Sequence, residues 1–340
     1  ANLASHNAGV TVVIVAISNH AGQTRRLFSI GEDGKPLVKE VENINAYLVA
    51  GKNAFIDKTS TPISPVTPMD RGSGPVDGGH LIFDFDTAKK LKLALENKSY
   101  LVRQYIGSED SINGKQRFCL WIKDEDLPSA LSVPEIEKRI LSVKSMRLAS
   151  KKEATKDSAS APHKFSEIRY KQSLHVAVIP RVTSENRDYI PVAIVNGQSI
   201  VTDSAFGMYD APLWNLALIA SRLHLVWIAT VCGKLKTDFR YSNTLGWNTF
   251  PVPLLTTKNK DDLTRCAEDI LLAREAHFPA TIADLYDPDA MPENLRRAHD
   301  WNDEVLERIY IGRRFKNDTE RLEKLFEMYT EMTAKKKGAV

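Results

Sequence analysis

The sequence predicts an α/β chain of the α+β kind: a mixed-sheet domain built on one long buried helix, followed by an all-α helical bundle. Three observations lead there. Residues 212–232 are apolar at helical spacing, with Pro212 at the start and Gly233 just past the end. Short runs rich in β-branched residues recur at 117–123, 174–179, 190–195 and 199–201. Beyond Pro253 the pattern changes to amphipathic helices with evenly charged outer faces.

The long helix fixes the interpretation of the rest. Leu213, Leu216, Leu223 and Val226 recur at helical spacing, and Ile219 and Ile228 widen the stripe. Asn215, Ser221, Arg222 and His224 interrupt the apolar run, so a buried core helix is favoured over a membrane span. With 340 residues the chain has room for two or three cores. A net charge of +3 gives no global basicity that would announce nucleic acid. Cys119, Cys232 and Cys266 are too few and too scattered for a disulfide framework or a zinc site, which points to a reducing, cytoplasmic setting.

Taken in order, residues 10–17 (VTVVIVAI) read as a strand buried on both faces, with most of its sheet expected upstream. Leu27–Ile30 and Leu37–Glu40 flank Gly31-Glu32-Asp33-Gly34, a hairpin signal. Residues 1–55 are therefore expected to be the end of a larger α/β domain, and the chain to be part of something longer. Residues 56–80 are rich in proline and glycine and read as a linker. Gly72-Ser73-Gly74 lies in it without the flanking strand and helix that a nucleotide loop requires.

Residues 81–253 form the second domain. Asp86 is expected to cap a helix over 87–97, and Ser132 with Pro134 opens another, with Ile136, Ile140 and Val143 inward. Between residues 138 and 171 the balance turns basic. Lys151, Lys152, Lys156 and Lys164 lie in or beside a Ser/Ala-rich stretch, 150–161, expected to be a mobile loop. Small residues among lysines suit close approach to a phosphate backbone, and a solvated face explains them equally well. The loop at 180–187 adds Arg181, Ser184 and Arg187. Residues 254–340 hold three helices, the first capped by Asp261, the last two over 294–308 and 318–332, with a frayed Lys335-Lys336-Lys337 end.

No catalytic constellation appears. Glu96-Asn97-Lys98 imitates the end of a nuclease motif but lacks its preceding acid, and Asp84 with Asp86 is explained by capping. No nucleophile elbow, phosphate loop or metal pair is present, so neither a catalytic residue nor a metal ligand is assigned and the chain is expected not to be catalytic alone. The run after the long helix is more telling: Lys234, Lys236, Asp238, Arg240, Tyr241, Ser242 and Asn243 crowd into ten residues closed by Pro251 and Pro253. If 236–238 is extended, Lys236 and Asp238 point to one side. A lysine donates to guanine and a carboxylate accepts from cytosine, so together they suit a G·C pair. On spacing alone, a cross-face salt bridge is the stronger explanation.

At this point the sequence resembles a known family. Tyr241-Ser242-Asn243-Thr244, Asn248-Thr249-Phe250-Pro251 and Pro253 resemble the YSNT…NxFPxP signature of MmeI-type (Type IIL) restriction–modification enzymes. Val231-Cys232-Gly233-Lys234-Leu235, Asp77-Gly78-Gly79, Pro180-Arg181-Val182-Thr183-Ser184, Asp203-Ser204-Ala205-Phe206 and Ala283-Asp284-Leu285-Tyr286-Asp287-Pro288 match as well. The resemblance runs nearly end to end and in order. It implies that residues 1–55 end an adenine-N6 methyltransferase core, that 81–253 form a target-recognition domain for double-stranded DNA, and that 254–340 support it.

The catalytic NPPY-type motif and any cofactor glycine motif are absent. No cofactor is therefore expected in this chain; S-adenosylmethionine is implied for the full-length enzyme, whose methyltransferase domain would lie upstream in the same polypeptide. The resemblance reverses the salt-bridge preference and favours Lys236 and Asp238, with Arg240, as base readers. Lys151, Lys152, Lys156, Lys164, Arg181, Ser184, Lys234, Tyr241, Ser242 and Asn243 are expected as further DNA contacts. A structural or subunit-contact domain and a non-specific nucleic-acid-binding module are the alternatives.

Overall fold

The computed structural model describes residues 13–19, 24–30 and 35–337. At its start, β1 (Arg25–Ile30) and β2 (Pro36–Val41) pair antiparallel from Arg25↔Val41 to Ile30↔Pro36, as the hairpin signal requires; the connecting turn lies outside the described residues. Of the strand expected over 10–17, the described part, residues 13–17, is not in a strand. Residues 10–12 lie outside the described residues, and Val13, Ile14, Val15 and Ile17 are exposed and outside any sheet. A strand buried on both faces needs neighbours for its amides and its side chains, and the described residues supply neither.

Residues 56–80 are not a free linker. They form a strap across the centre of the protein, with Ile56 and Met69 in the main core. Asn248 donates its side-chain amide to the Thr59 carbonyl (2.8 Å), and Ile63 N donates back to the Asn248 carbonyl (2.8 Å). Ser64 Oγ donates to the Phe250 carbonyl (2.8 Å) and accepts from Val252 N (2.9 Å). The prolines and glycines mark irregular backbone, and irregular backbone can be buried where side-chain amides and hydroxyls satisfy it. The strap includes β3 (Asp70–Arg71). Gly72 fits there because a Cβ would meet the Thr202 carbonyl oxygen at 2.0 Å, so its role is close strand approach rather than nucleotide binding.

Three sheets follow. One, mixed and four-stranded, runs β10 (Ile200–Val201), β5 (Val102–Ile106), β6 (Arg117–Leu120), β4 (Ile82–Phe83), with β10 parallel to β5 and the rest antiparallel. Helices α1 (Phe85–Leu95) and α4 (Pro134–Leu148) cover it through Leu91, Leu95, Ile136, Ile140 and Val143; between them lie the short α2 (Ser108–Asn113) and α3 (Leu127–Leu131). The cap of α1 is Asp84, which accepts from Thr87 N at 2.9 Å, and Asp86 is already inside the first turn. A second antiparallel sheet runs β3, β11 (Ala205–Tyr209), β7 (His175–Pro180), β9 (Ala193–Asn196). The third is the small sheet β12 (Gly233–Leu235), β13 (Asp238–Arg240), β8 (Val182–Thr183).

The long helix is two helices, α6 (Leu213–Ile219) and α7 (Arg222–Val231), bent by 57°. Ser221 makes the break: its backbone is extended (φ −96°, ψ 155°) and its hydroxyl caps α7 by accepting from His224 N at 3.2 Å. Among the described residues no single helix is long and apolar enough to cross a membrane. The helical region continues with α8 (Thr257–Glu275), α9 (Ile282–Leu285), α10 (Glu293–Ile311) and α11 (Asp318–Lys337). Thr256, in a reciprocal pair with Asn259, caps α8 in place of the expected Asp261, and α11 includes Lys335–Lys337 rather than fraying before them. Leu263, Ile270, Leu295, Leu306 and Phe326 join Trp227, Trp247 and Phe250 in a single core, so these helices are continuous with the sheet domain.

Candidate nucleic-acid interface

The run after α7 folds into a two-stranded ribbon. Leu235 pairs with Asp238, leaving Lys236 and Thr237 as a two-residue turn with Lys236 at φ +58°. The expected extended 236–238 segment is thus a turn, because the chain reverses there to add β13 to β8. Alternation from β13 then divides the side chains. Phe239 and its partners Lys234 and Thr183 face inward, Thr183 buried and Phe239 packed on the main core. Asp238 and Arg240 share the outward face with Leu235 and Val182. Lys236, Asp238 and Arg240 make no hydrogen bond or ion pair among the described residues, so their polar atoms remain available to a ligand.

The other expected contacts divide sharply. Lys234 lies over the Phe239 ring (5.3 Å) and pairs with Glu185 at 2.9 Å, which removes it from the reading edge. Tyr241 is buried, and its hydroxyl shares a 2.7 Å hydrogen bond with His224 Nε2. Burial holds the Tyr241 phenol far above its usual range and pulls the His224 imidazole down to about 3. Asn243 donates to the Met69 carbonyl at 2.7 Å, and the Ser242 hydroxyl shares a 3.0 Å bond with Thr244. Tyr241 and Asn243 therefore hold the ribbon to the core, and Ser242 serves the same turn. That turn, Asn243–Trp247, is a wide one closed by Asn248 N onto the Asn243 carbonyl (2.8 Å). Gly246 is required in it because a Cβ would meet the Tyr241 ring at 2.4 Å.

The basic stretch is a built element rather than a mobile loop. Helix α5 (Glu153–Asp157) and a tight turn at Ser158–Ser160 are pinned by Arg147, which is buried although its charge would favour water. Its guanidinium donates to five carbonyls: Pro75 (2.9 Å), Val76 (3.0 Å), Ser158 (2.8 Å), Ala161 (3.1 Å) and Lys164 (2.7 Å). Lys151 and Lys152 are exposed and make no ion pair among the described residues. Lys156 pairs with Glu153 at 2.7 Å and Lys164 with Asp124.

From Lys164 the chain leads to the ribbon through a group of arginines that sequence reasoning largely missed. Glu167 bridges to Gly74 of the strap and lies 4.0 Å from both Arg71 and Arg169. Arg71 pairs with Asp203 at 3.1 Å. Arg181 donates to the Asp203 carbonyl (2.6 Å) and stacks over Phe206. Burial lowers the pKa of Arg181, and repulsion from Arg71 and Arg240 adds to it. Arg187 is lowered by burial and opposed by the charges of Asp238 and Asp287. Ser184 accepts from Asn186 N and shapes the 184–187 turn. Arg71 is 110 positions from Arg181, and no local pattern links them.

Among the described residues no three His, Cys, Asp or Glu side chains gather to hold an ion. The Gly72-Ser73-Gly74 backbone is already engaged with Thr202 and Glu167.

The chain is similar to known proteins along nearly its whole length. DNA methyltransferase A of Bacillus subtilis (strain 168) is 36% identical over 336 residues, covering 98% of this chain and 37% of the relative. A solved structure of the Type IIL restriction–modification enzyme MmeI in complex with DNA superposes with a TM-score of 0.82 at 30% identity, covering 92% of this chain and 42% of that one. The chain thus spans well under half the length of either protein. The model of the MmeI target recognition domain matches residues 50–254, and that of the MmeI C-terminal domain matches residues 255–336. The chain belongs to the MmeI family, as its target recognition and C-terminal domains.

Proposed function

We propose that this chain selects the double-stranded DNA target of a Type II restriction–modification enzyme that methylates adenine at N6. The observation that carries the reading is the ribbon at 233–240. It offers Lys236, Asp238 and Arg240, whose side chains make no hydrogen bond or ion pair among the described residues, beside an arginine group. A two-stranded ribbon fits a B-DNA major groove. With Lys236 at the turn and Asp238 two residues on, an amine and a carboxylate occupy the ribbon tip. The amine donates to guanine O6 and N7, and the carboxylate accepts from the N4 amine of the paired cytosine. The free lysines at 151 and 152 contact phosphates and set the register without reading sequence.

Methyl transfer belongs, in this proposal, to a domain upstream in the same polypeptide. That domain would bind S-adenosylmethionine and act on an adenine taken out of the stack. The chain itself would contribute binding and orientation, in a cytoplasmic setting. The test is selection of bound duplexes from a random pool by the chain and by its Lys236→Glu/Asp238→Arg variant. A motif whose single G·C position changes in the variant supports the reading. A motif unchanged at every position overturns the assignment to the ribbon tip. Binding without a motif favours a non-specific module, and no binding at low salt favours a structural domain.

A further inference from the structure

Resting on that reading but independent of base recognition, we propose that Arg71, Arg181 and Arg240 together form the receptor for one backbone phosphate of the bound strand. The three come from separate segments. Arg71 lies on β3 opposite Phe206 of β11, so both side chains lie on the same face of that sheet. Arg181 stacks over the same Phe206 ring at 5.6 Å. Arg240 is on β13 opposite Val182, the residue after Arg181, and Tyr241 N donates to the Arg181 carbonyl at 2.8 Å. The strap and the main sheet thus bring Arg71 and Arg181 to one ring, and the ribbon carries Arg240 near enough that its charge, like that of Arg71, acts on Arg181.

The charge around this group is unbalanced. Asp203 is the carboxylate bonded there, 3.1 Å from Arg71, and Arg181 takes only its main-chain oxygen. The other acid, Glu167, stands 4.0 Å from Arg71 and is shared with Arg169. Arg240 has no hydrogen bond or ion pair among the described residues and is exposed. Three cations that repel one another, with one of them desolvated, form an arrangement an anion relieves. Guanidinium groups are well suited to a phosphate because they donate in a planar fork. The outward face of the ribbon carries Arg240 together with Asp238, so a phosphate held here leaves the ribbon tip over the adjacent bases. In this assignment Arg240 contacts the backbone and is not a base reader.

The test uses the full chain with Arg71→Gln, Arg240→Gln, the double variant, and Arg181→Lys as a variant that keeps the charge. First, affinity for a random-sequence duplex is measured against salt, which needs no base motif. The slope of log K against log salt falls by about 0.9 for each phosphate the protein no longer neutralises. Because the remaining guanidiniums still neutralise a shared phosphate, either single variant should flatten the slope by well under about 0.9 and the double variant by no more than about 0.9. A loss of about 0.9 in each single variant and about 1.8 in the double variant would overturn the shared site. Second, single neutral methylphosphonate linkages are placed along the selected duplex. One linkage should weaken the parent chain most, Arg71→Gln and Arg240→Gln less, and the double variant least. Arg181→Lys should keep the slope while losing part of that linkage preference. If no linkage behaves this way, or if Arg240→Gln changes a base preference instead, the inference is wrong. A chain that shows the linkage effect but selects no motif would refute base reading and leave the phosphate site standing.

Discussion

Tyr241→Phe separates a base-contacting tyrosine from an internal one. The Tyr241 hydroxyl and His224 Nε2 are 2.7 Å apart in a fully buried site, and His224 Nδ1 has no partner among the described residues. Removing the hydroxyl leaves a buried imidazole with no hydrogen bond at all, which costs about 1–3 kcal/mol. His224→Leu alone leaves the phenol hydroxyl buried and unpaired, a loss of the same order, about 1–3 kcal/mol. Combining the two removes both polar groups together, so the double variant should be more stable than the sum of the singles predicts, by at least about 1 kcal/mol. Urea unfolding followed by tryptophan fluorescence suits the measurement, because the Trp247 ring lies 5.5 Å from His224. Additivity within about 0.5 kcal/mol would refute the coupling. A change in the selected DNA motif with Tyr241→Phe would refute its interior role.

Two further outcomes are expected. Burial draws His224 and His299 down to about 3 and pushes Asp303 up to about 7. The unfolded chain therefore takes up two histidine protons near pH 6.5 that the folded chain refuses, while the folded chain binds one extra proton at Asp303. From these three groups comes a stability loss of roughly 1.4 kcal/mol per pH unit as pH falls from about 6 to 5, above the range where depressed carboxylates such as Glu320 add their own, and His224→Leu should remove most of it in urea midpoints taken across that range. Arg147→Met leaves five carbonyls without their donor and should destabilise by about 3–5 kcal/mol. Hydrogen exchange at residues 153–164 should quicken with it, and a loss under about 1 kcal/mol would show that the clamp does not hold that stretch.

Local chemistry was legible where it governs structure locally. The β1–β2 hairpin followed from its turn sequence, and α4 from Pro134 with Ile136, Ile140 and Val143. The α6–α7 break was visible in principle, since Ser221 is a good capping residue. Its apolar neighbours continue the helical period across the bend and masked it. The strand Ala205–Tyr209 went unread because it is short and contains Gly207. At the candidate site, the crowding of polar residues after α7 located the ribbon. It did not show which side chains face outward, because that depends on the turn at Lys236, which lacks the glycine or asparagine that normally marks one. The arginine group was invisible for a different reason: Arg71 reaches Arg181 only through the sheet, and no periodicity records it.

The strap has a consequence for synthesis. Its bonds to Asn248 and Phe250 join residues 189 and 186 positions apart, so they cannot form until the chain has been made past residue 250. Contacts so distant in sequence carry a high loop-closure entropy and form slowly. Until then, Ile56 and Met69 remain without their core and Asn215 without its strap partner Thr67. The ribbon at 233–240 is also made within that last stretch. The ribbon proposed to read DNA and the tie that closes the domain are therefore completed at nearly the same moment of translation, and an incomplete chain would present neither.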